Sequence, residues 1–286
     1  VLSWPGAEAS GVLPDGMMVG GGETSGGTVI RTENQAFDDG EAPPSPVTEA
    51  LLGLVGEAAG PGFRFYEVSG TCSLCGWQGR FQRTHRSERE TLACGGCRAT
   101  LRYRGQAEVI CREIAAGRFE TLADLATSGA LFKLAIYEPG ITGPLRPFLR
   151  QAGRYQQSIY DPDQPSGTRR ADGIVHQDLM ATAFCDASFD LVVTSDIFEH
   201  VRRPFLAFAE IRRILKPGGL HVWTVPIGMP PPDETRARVD TSGPEDRMIL
   251  PPVYHGSGTD GLSLVYTDFG RDIGRLLAEM GLPTRA

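Results

Sequence analysis

The chain has 286 residues and no run of 18 or more apolar ones, so no membrane-spanning helix is expected. Its start lacks a methionine and lacks a charged-then-apolar leader, which reads as a processed chain or a fragment with no signal peptide. No internal repeat is visible. Basic residues are scarce at the start, where residues 1–60 hold nine acids and Arg31 alone, about −8. The net charge of −7 argues against a nucleic-acid binder as a whole. A hydrophobic content of 41% suits a globular protein of one or two domains, and a cytoplasmic location is expected.

What is present is uneven. Residues 1–60 are rich in Gly, Glu, Ser and Pro and cannot bury enough apolar surface to offset ordering entropy, so a mostly disordered acidic tail is expected. Val47 to Ala58 reads as a short helix within it. Residues 61–106 form a Cys-rich module. There Cys72 and Cys75, then Cys94 and Cys97, make two C-x2-C knuckles whose spacing matches a four-thiolate zinc site. Four cysteines and no open position imply a closed, structural site. Disulfides would need a secretory context. The stretch 72–104 carries seven Arg against two Glu, +5. Arg80, Arg83, Arg86, Arg89, Arg102 and Arg104 are candidate phosphate contacts or, alternatively, a solvated face. Trp77, Phe81 and Tyr103 are candidate stacking platforms or, alternatively, the module's small core. Cys111 and Cys185 read as buried thiols.

From Gln106 to Gly129 apolar residues recur at helical period. Lys133–Tyr137, Tyr155–Tyr160 and Gly173–His176 read as three strands. The most informative segment is Phe189–Pro226. Its apolar run at Leu191, Val192 and Val193 predicts a strand buried on both faces. Asp196, Glu199 and His200 follow. Phe205, Phe208, Ile211, Ile214 and Leu215 predict a helix. Lys216-Pro217-Gly218-Gly219 predicts its stop, and Leu220–Val225 the next strand. This is a βαβ unit, whose ligands sit at the carboxyl ends of the strands. The Pro/Gly-rich residues 226–261 are too long for an idle connection and read as a lid. Phe269–Met280 predicts a final helix.

The segment FDLVVTSDIFEHV…AFAEIRRILKPGG resembles the second half of class I S-adenosylmethionine-dependent methyltransferases of type 11, over roughly Lys133 to Gly281. The resemblance implies an α/β, doubly wound, Rossmann-like and mostly parallel sheet. Here it follows a zinc ribbon and the tail, with the methyltransferase domain at 107–286 and a helical lead-in at 107–129. Members continue into a closing hairpin, so the last strands are expected to be missing or replaced. For the cofactor, S-adenosylmethionine, the resemblance nominates Glu138, Gly140 and Gly143 in the glycine turn, with Thr142 and Pro144 where later glycines are usual. It nominates Asp161 after the second strand, with Ile159 as the competing position, then Asp178 and Leu179 after the third, and Asp196. Asp178 equally suits a helix N-cap.

His200, and His255 in the lid, are candidate catalytic bases for a hydroxyl acceptor; the competing reading has His200 orient its loop. Asp196-x-x-Glu199-His200 also resembles the cation-binding set of quinone-type O-methyltransferases, which brings in Mg²⁺. The Asn-Pro-Pro-Tyr signature of many amide- and base-methylating relatives is absent. The leading expectation is methyl transfer to an oxygen of a small molecule or saccharide. The alternatives are a zinc-containing rRNA methyltransferase, binding nucleic acid through the basic ribbon, and a non-catalytic binding module.

Overall fold

The computed structural model describes residues 2–3, 65–85, 87–228, 230–256 and 261–285. Arg86, the expected helix at Val47–Ala58 and nearly all of the expected tail lie outside them. The elements in chain order are β1 (Leu2–Ser3), β2 (Glu67–Thr71), β3 (Gln78–Gln82), α1 (Leu101–Ala115), α2 (Leu122–Thr127), β4 (Ala135–Pro139), α3 (Arg146–Leu149), β5 (Arg154–Ile159), β6 (Val175–His176), β7 (Phe189–Ser195), α4 (Pro204–Ile214) and β8 (Leu215–Thr224). The short strands β9 (Arg236–Ala237), β10 (Val239–Asp240), β11 (Arg247–Met248), β12 (Tyr254–Gly256), β13 (Leu262–Leu264) and β14 (Thr267–Asp268) precede α5 (Ile273–Glu279). Among the described residues no helix is long and apolar enough to cross a membrane.

The main sheet has the order β1-β8-β7-β4-β5-β6. Every pair is parallel except β1 with β8. Leu2 and Ser3, expected within the disordered tail, are therefore an edge strand. The chain runs outward from β4 to β6, then returns to β7 beside β4. That reversal is a topological switch point, and it opens a crevice at the carboxyl ends of β4 and β7.

Both sheet faces are covered, as a parallel sheet requires. Ile136, Leu191, Val193, Leu220 and Val222 face α1, α2 and the Cys-rich module in one apolar cluster. Tyr137, Phe189 and Val192 face α4 and α5 in the other. Phe189 departs from the phase of Leu191 and Val193 because the β7–β8 pairing shifts register between Phe189 and Leu191.

The same irregularity corrects one expectation. Lys216–Gly219 was expected to be a turn separating helix from strand, yet β8 begins at Leu215, directly after α4. Leu215 pairs with Phe189, and Lys216 Nζ donates to Asp190 Oδ2 at 2.7 Å. These contacts draw the residues after the helix straight into the ladder, with Gly218 absorbing a φ of +78°. Helix α1 begins at Leu101, inside the range read as ribbon, and α5 is shorter than the expected final helix. Cys111 is buried, which pushes its thiol up to about 11. Cys185 is exposed, not buried, because it lies in an irregular loop before β7.

Candidate functional site

The knuckles form at the tip of the β2–β3 hairpin and in the turn before α1. Cys72 Sγ lies 3.8 Å from Cys97 Sγ, and Cys75 Sγ 3.6 Å from Cys94 Sγ. Four thiolates around one ion with 2.3 Å bonds would be about 3.8 Å apart. No cysteine is in a disulfide. The amides of Gly96 and Cys97 donate to Cys94 Sγ at 3.3 and 3.5 Å. Burial pushes the Cys94 thiol up, but those amides outweigh it and bring it to about 7. The Trp77 ring closes over the glycines, since a β-carbon at Gly79 or Gly95 would meet it at 2.2 or 2.6 Å. The first knuckle also satisfies α2: Ser73 and Leu74 carbonyls accept from the Leu122 and Ala123 amides, which a free helix start leaves unpaired.

The arginines of this module divide: Arg102 and Arg104 turn inward, whereas Arg80 and Arg98 are exposed. Arg80 pairs with Glu67 at 2.6 Å. Arg104 stacks over Phe81, 3.5 Å from the ring centroid, and donates to Leu92 O. Arg102 pairs with Glu90 at 3.1 Å and with Asp196 at 3.2 Å, and Arg89 also reaches Asp196. Phe81 is buried and Trp77 packs edge-on against it, so these aromatics form core.

The glycine turn leaves β4 at the switch point. Glu138 is buried, and the Tyr155 hydroxyl donates to its Oε2 at 2.5 Å. Burial holds this carboxyl above its ordinary value, with the Tyr155 hydrogen bond opposing. Arg146 donates to Gly140 O at 2.8 Å and to the Tyr155 hydroxyl at 3.2 Å, tying the loop to β5. Gly140 and Gly143 have φ of +99° and +139°, conformations that an L side chain rarely adopts. A β-carbon at Gly140 would meet nothing within 4 Å, so the backbone there borders open space.

The nominated acids stand at successive strand ends along one edge. Asp161 follows β5 and accepts from the Asp163 amide at 3.0 Å. Asp178 follows β6 and accepts from the Met180 amide at 2.8 Å, shaping its own turn. Leu179 is buried in the α4 cluster. Asp196 ends β7 at φ +53°, accepts from Thr224 Oγ1 at 2.9 Å, and is engaged by Arg89 and Arg102.

Glu199, His200 and His255 form a second polar centre. Glu199 is fully buried, and neither carboxylate oxygen has a hydrogen-bond partner. Its Oε1 lies 3.7 Å from His200 Nε2 and 3.7 Å from His255 Nδ1. The two imidazoles meet edge to face at 5.1 Å. His255 comes from β12, which pairs with β13. The hairpin is fastened to the strand end by Tyr266 N to Glu199 O at 2.7 Å and by His200 Nδ1 to Leu264 O at 2.8 Å. Sequence reasoning singled out both histidines but not their meeting on Glu199, because 55 residues separate His200 from His255 and no local pattern links them. The Tyr155–Glu138 bond and the two-arginine grip on Asp196 likewise have no signal in spacing.

Residues 150–223 match the model of the methyltransferase domain family. The chain is 38% identical over 78 residues to an uncharacterized methyltransferase of Mycobacterium tuberculosis, covering 24% of this chain and 31% of the relative. It is 32% identical over 126 residues to one of Mycobacterium avium, covering 41% and 44%. The matched part thus spans less than half the length of these relatives. Among solved structures, an S-adenosylmethionine-dependent methyltransferase from Mesorhizobium loti aligns with a TM-score of 0.30 at 17% identity, covering 52% of this chain and 72% of that one. A 1,6-didemethyltoxoflavin-N1-methyltransferase from Burkholderia thailandensis aligns with a TM-score of 0.28 at 15% identity, covering 59% and 68%.

Proposed function

From the class I S-adenosylmethionine-dependent methyltransferase domain that this chain carries, we infer that the protein methylates an oxygen of a small molecule or saccharide. The observation that carries this reading is the Gly140–Gly143 turn, which borders open space at Gly140 at the switch point of a mostly parallel sheet. S-adenosylmethionine supplies an activated methyl group on a good leaving group, so the protein's task is alignment. Gly140 and Gly143 let the backbone approach the cofactor, and Glu138 terminates the loop beneath it. Asp161 is the candidate partner of the ribose hydroxyls, with Asp178 and Leu179 beside the adenine.

On the acceptor side, His200 Nδ1 is held by a carbonyl, which can only accept. Nδ1 therefore carries the hydrogen of that bond, and Nε2 is the ring nitrogen that faces Glu199 Oε1. His200 and His255 are the candidate groups to take the acceptor's hydroxyl proton. The four cysteines of the ribbon are proposed to hold a structural zinc ion. Against the rRNA reading, Arg89 and Arg102 are engaged by Glu90 and Asp196, while Arg80, paired with Glu67, stays exposed. Magnesium favours an all-oxygen shell, and Asp196 is committed to arginines.

Calorimetric titration of the full chain with S-adenosylmethionine tests the reading first, with micromolar binding expected. Transfer of labelled methyl to a panel of phenols, sugars and glycosides, with rRNA alongside, tests it second. No binding at millimolar cofactor would leave a non-catalytic module. Labelling of rRNA alone would move the assignment to nucleic acid.

A further inference from the structure

We propose that Glu199, His200 and His255 bind a divalent transition-metal ion, zinc in the first instance, that staples the lid hairpin to the end of β7. The starting point is the charge. Glu199 is fully buried with both oxygens unpartnered. A buried carboxylate without hydrogen bonds is expensive, and it calls for a cation at close range. The two groups facing it each present a ring nitrogen to the same Oε1, at 3.7 Å in both cases.

The donor atoms all lie within 4.8 Å of one another. Around a tetrahedral ion with bonds of about 2.1 Å, donors would be about 3.4 Å apart. The two Glu199–histidine separations, 3.7 Å each, are thus a few tenths of an ångström above that spacing. His200 is prepared for ligation: Nδ1–H donates to Leu264 O, which fixes the ring and leaves Nε2 as the donor. The lid is fastened independently through Tyr266 N to Glu199 O, and Val265 N to Val253 O holds its two strands together. His255 is therefore delivered by backbone contacts rather than by chance rotation of an exposed side chain.

The donor types select the ion. Two imidazoles and one carboxylate suit zinc, iron or nickel, whereas magnesium and calcium prefer oxygen. This set is not the Asp196-Glu199-His200 trio, because Asp196 faces Arg89 and Arg102 and a histidine from the lid supplies the third donor. Ligation would occupy the ring nitrogens, so with an ion bound His200 and His255 act as ligands in place of bases; three protein ligands leave a fourth position open, where an acceptor oxygen could bind. That last consequence rests on the methyltransferase reading, while the metal site itself does not.

Metal content of the full chain after passage over a chelating resin, before and after zinc loading, tests the proposal. Glu199→Gln and His255→Ala should each retain one zinc equivalent fewer than the wild type, whatever the ribbon holds. Substitution with cobalt(II) supplies the folding control: the sulfur-to-cobalt absorption of the four-cysteine site should stay unchanged in both variants. Equal zinc content in wild type and variants, with that absorption intact, would overturn the site and leave Glu199 paired with a protonated histidine. Titrating the same samples with S-adenosylmethionine reads the methyltransferase proposal separately.

Discussion

The Arg102 guanidinium lies 3.2 Å from the Asp196 carboxylate, joining the first turn of α1 to the end of β7. Both side chains are nearly buried, and Arg89 and Thr224 complete the cluster. Removing one partner of a buried ion pair leaves a charge uncompensated, at a cost of about 3 kcal/mol. Asp196→Asn is therefore expected to lower the thermal midpoint clearly. The carboxylate is already committed, so the S-adenosylmethionine dissociation constant should change less than about threefold. A large affinity loss with unchanged stability would return Asp196 to the cofactor.

The ribbon and the sheet share one apolar cluster, with Cys72, Leu74, Phe81 and Cys94 in it beside Ile136 and Leu191. Loss of a metal held by the four cysteines should therefore be felt by the whole sheet domain. Cys94→Ser is expected to lower a single cooperative melting transition by several degrees. Two resolved transitions by calorimetry, one unshifted, would show the ribbon to be energetically separate.

His221 is fully buried on β8 with Nε2 at 2.8 Å from Thr194 Oγ1, and burial holds its pKa well below 6.5. The unfolded chain binds a proton below about pH 6.5 while the folded chain does not. Stability is thus fully present above that pH and falls as pH drops through it, with a slope of up to about 1.4 kcal/mol per pH unit from this group. Urea melts between pH 5 and 8 should show the fall, and His221→Gln should flatten it.

Gly140→Ala places a β-carbon at φ +99°, at a cost of about 1–2 kcal/mol in backbone strain. The new methyl points into the space assigned to the cofactor. Cofactor affinity should drop at least tenfold by calorimetry. An alanine at exposed Gly173, φ +85°, carries comparable strain away from the turn and should leave affinity unchanged.

How much of this was legible beforehand follows from the range of each interaction. The β7-α4-β8 unit was readable because its pattern is local: an apolar run, residues at helical spacing, then glycines. The cysteine pairs were readable because ligand spacing within each knuckle is short. The start of β8 was misread because the Lys216–Asp190 contact and the register shift at Phe189 are decided across strands. The basic stripe at 72–104 left phosphate contacts and a solvated face both open, because nothing in sequence shows that Glu90 and Asp196 face Arg89 and Arg102.

By itself, the sequence determined the class of fold, the two cysteine knuckles and the two histidines worth watching, since periodicity and short spacing are properties of neighbouring residues. Only the tertiary structure decided that Asp196 belongs to Arg89 and Arg102, and that His255 crosses from the lid to meet Glu199. Those pairings join residues 56 to 107 positions apart, and their energies depend on burial, which exists only once the chain is folded.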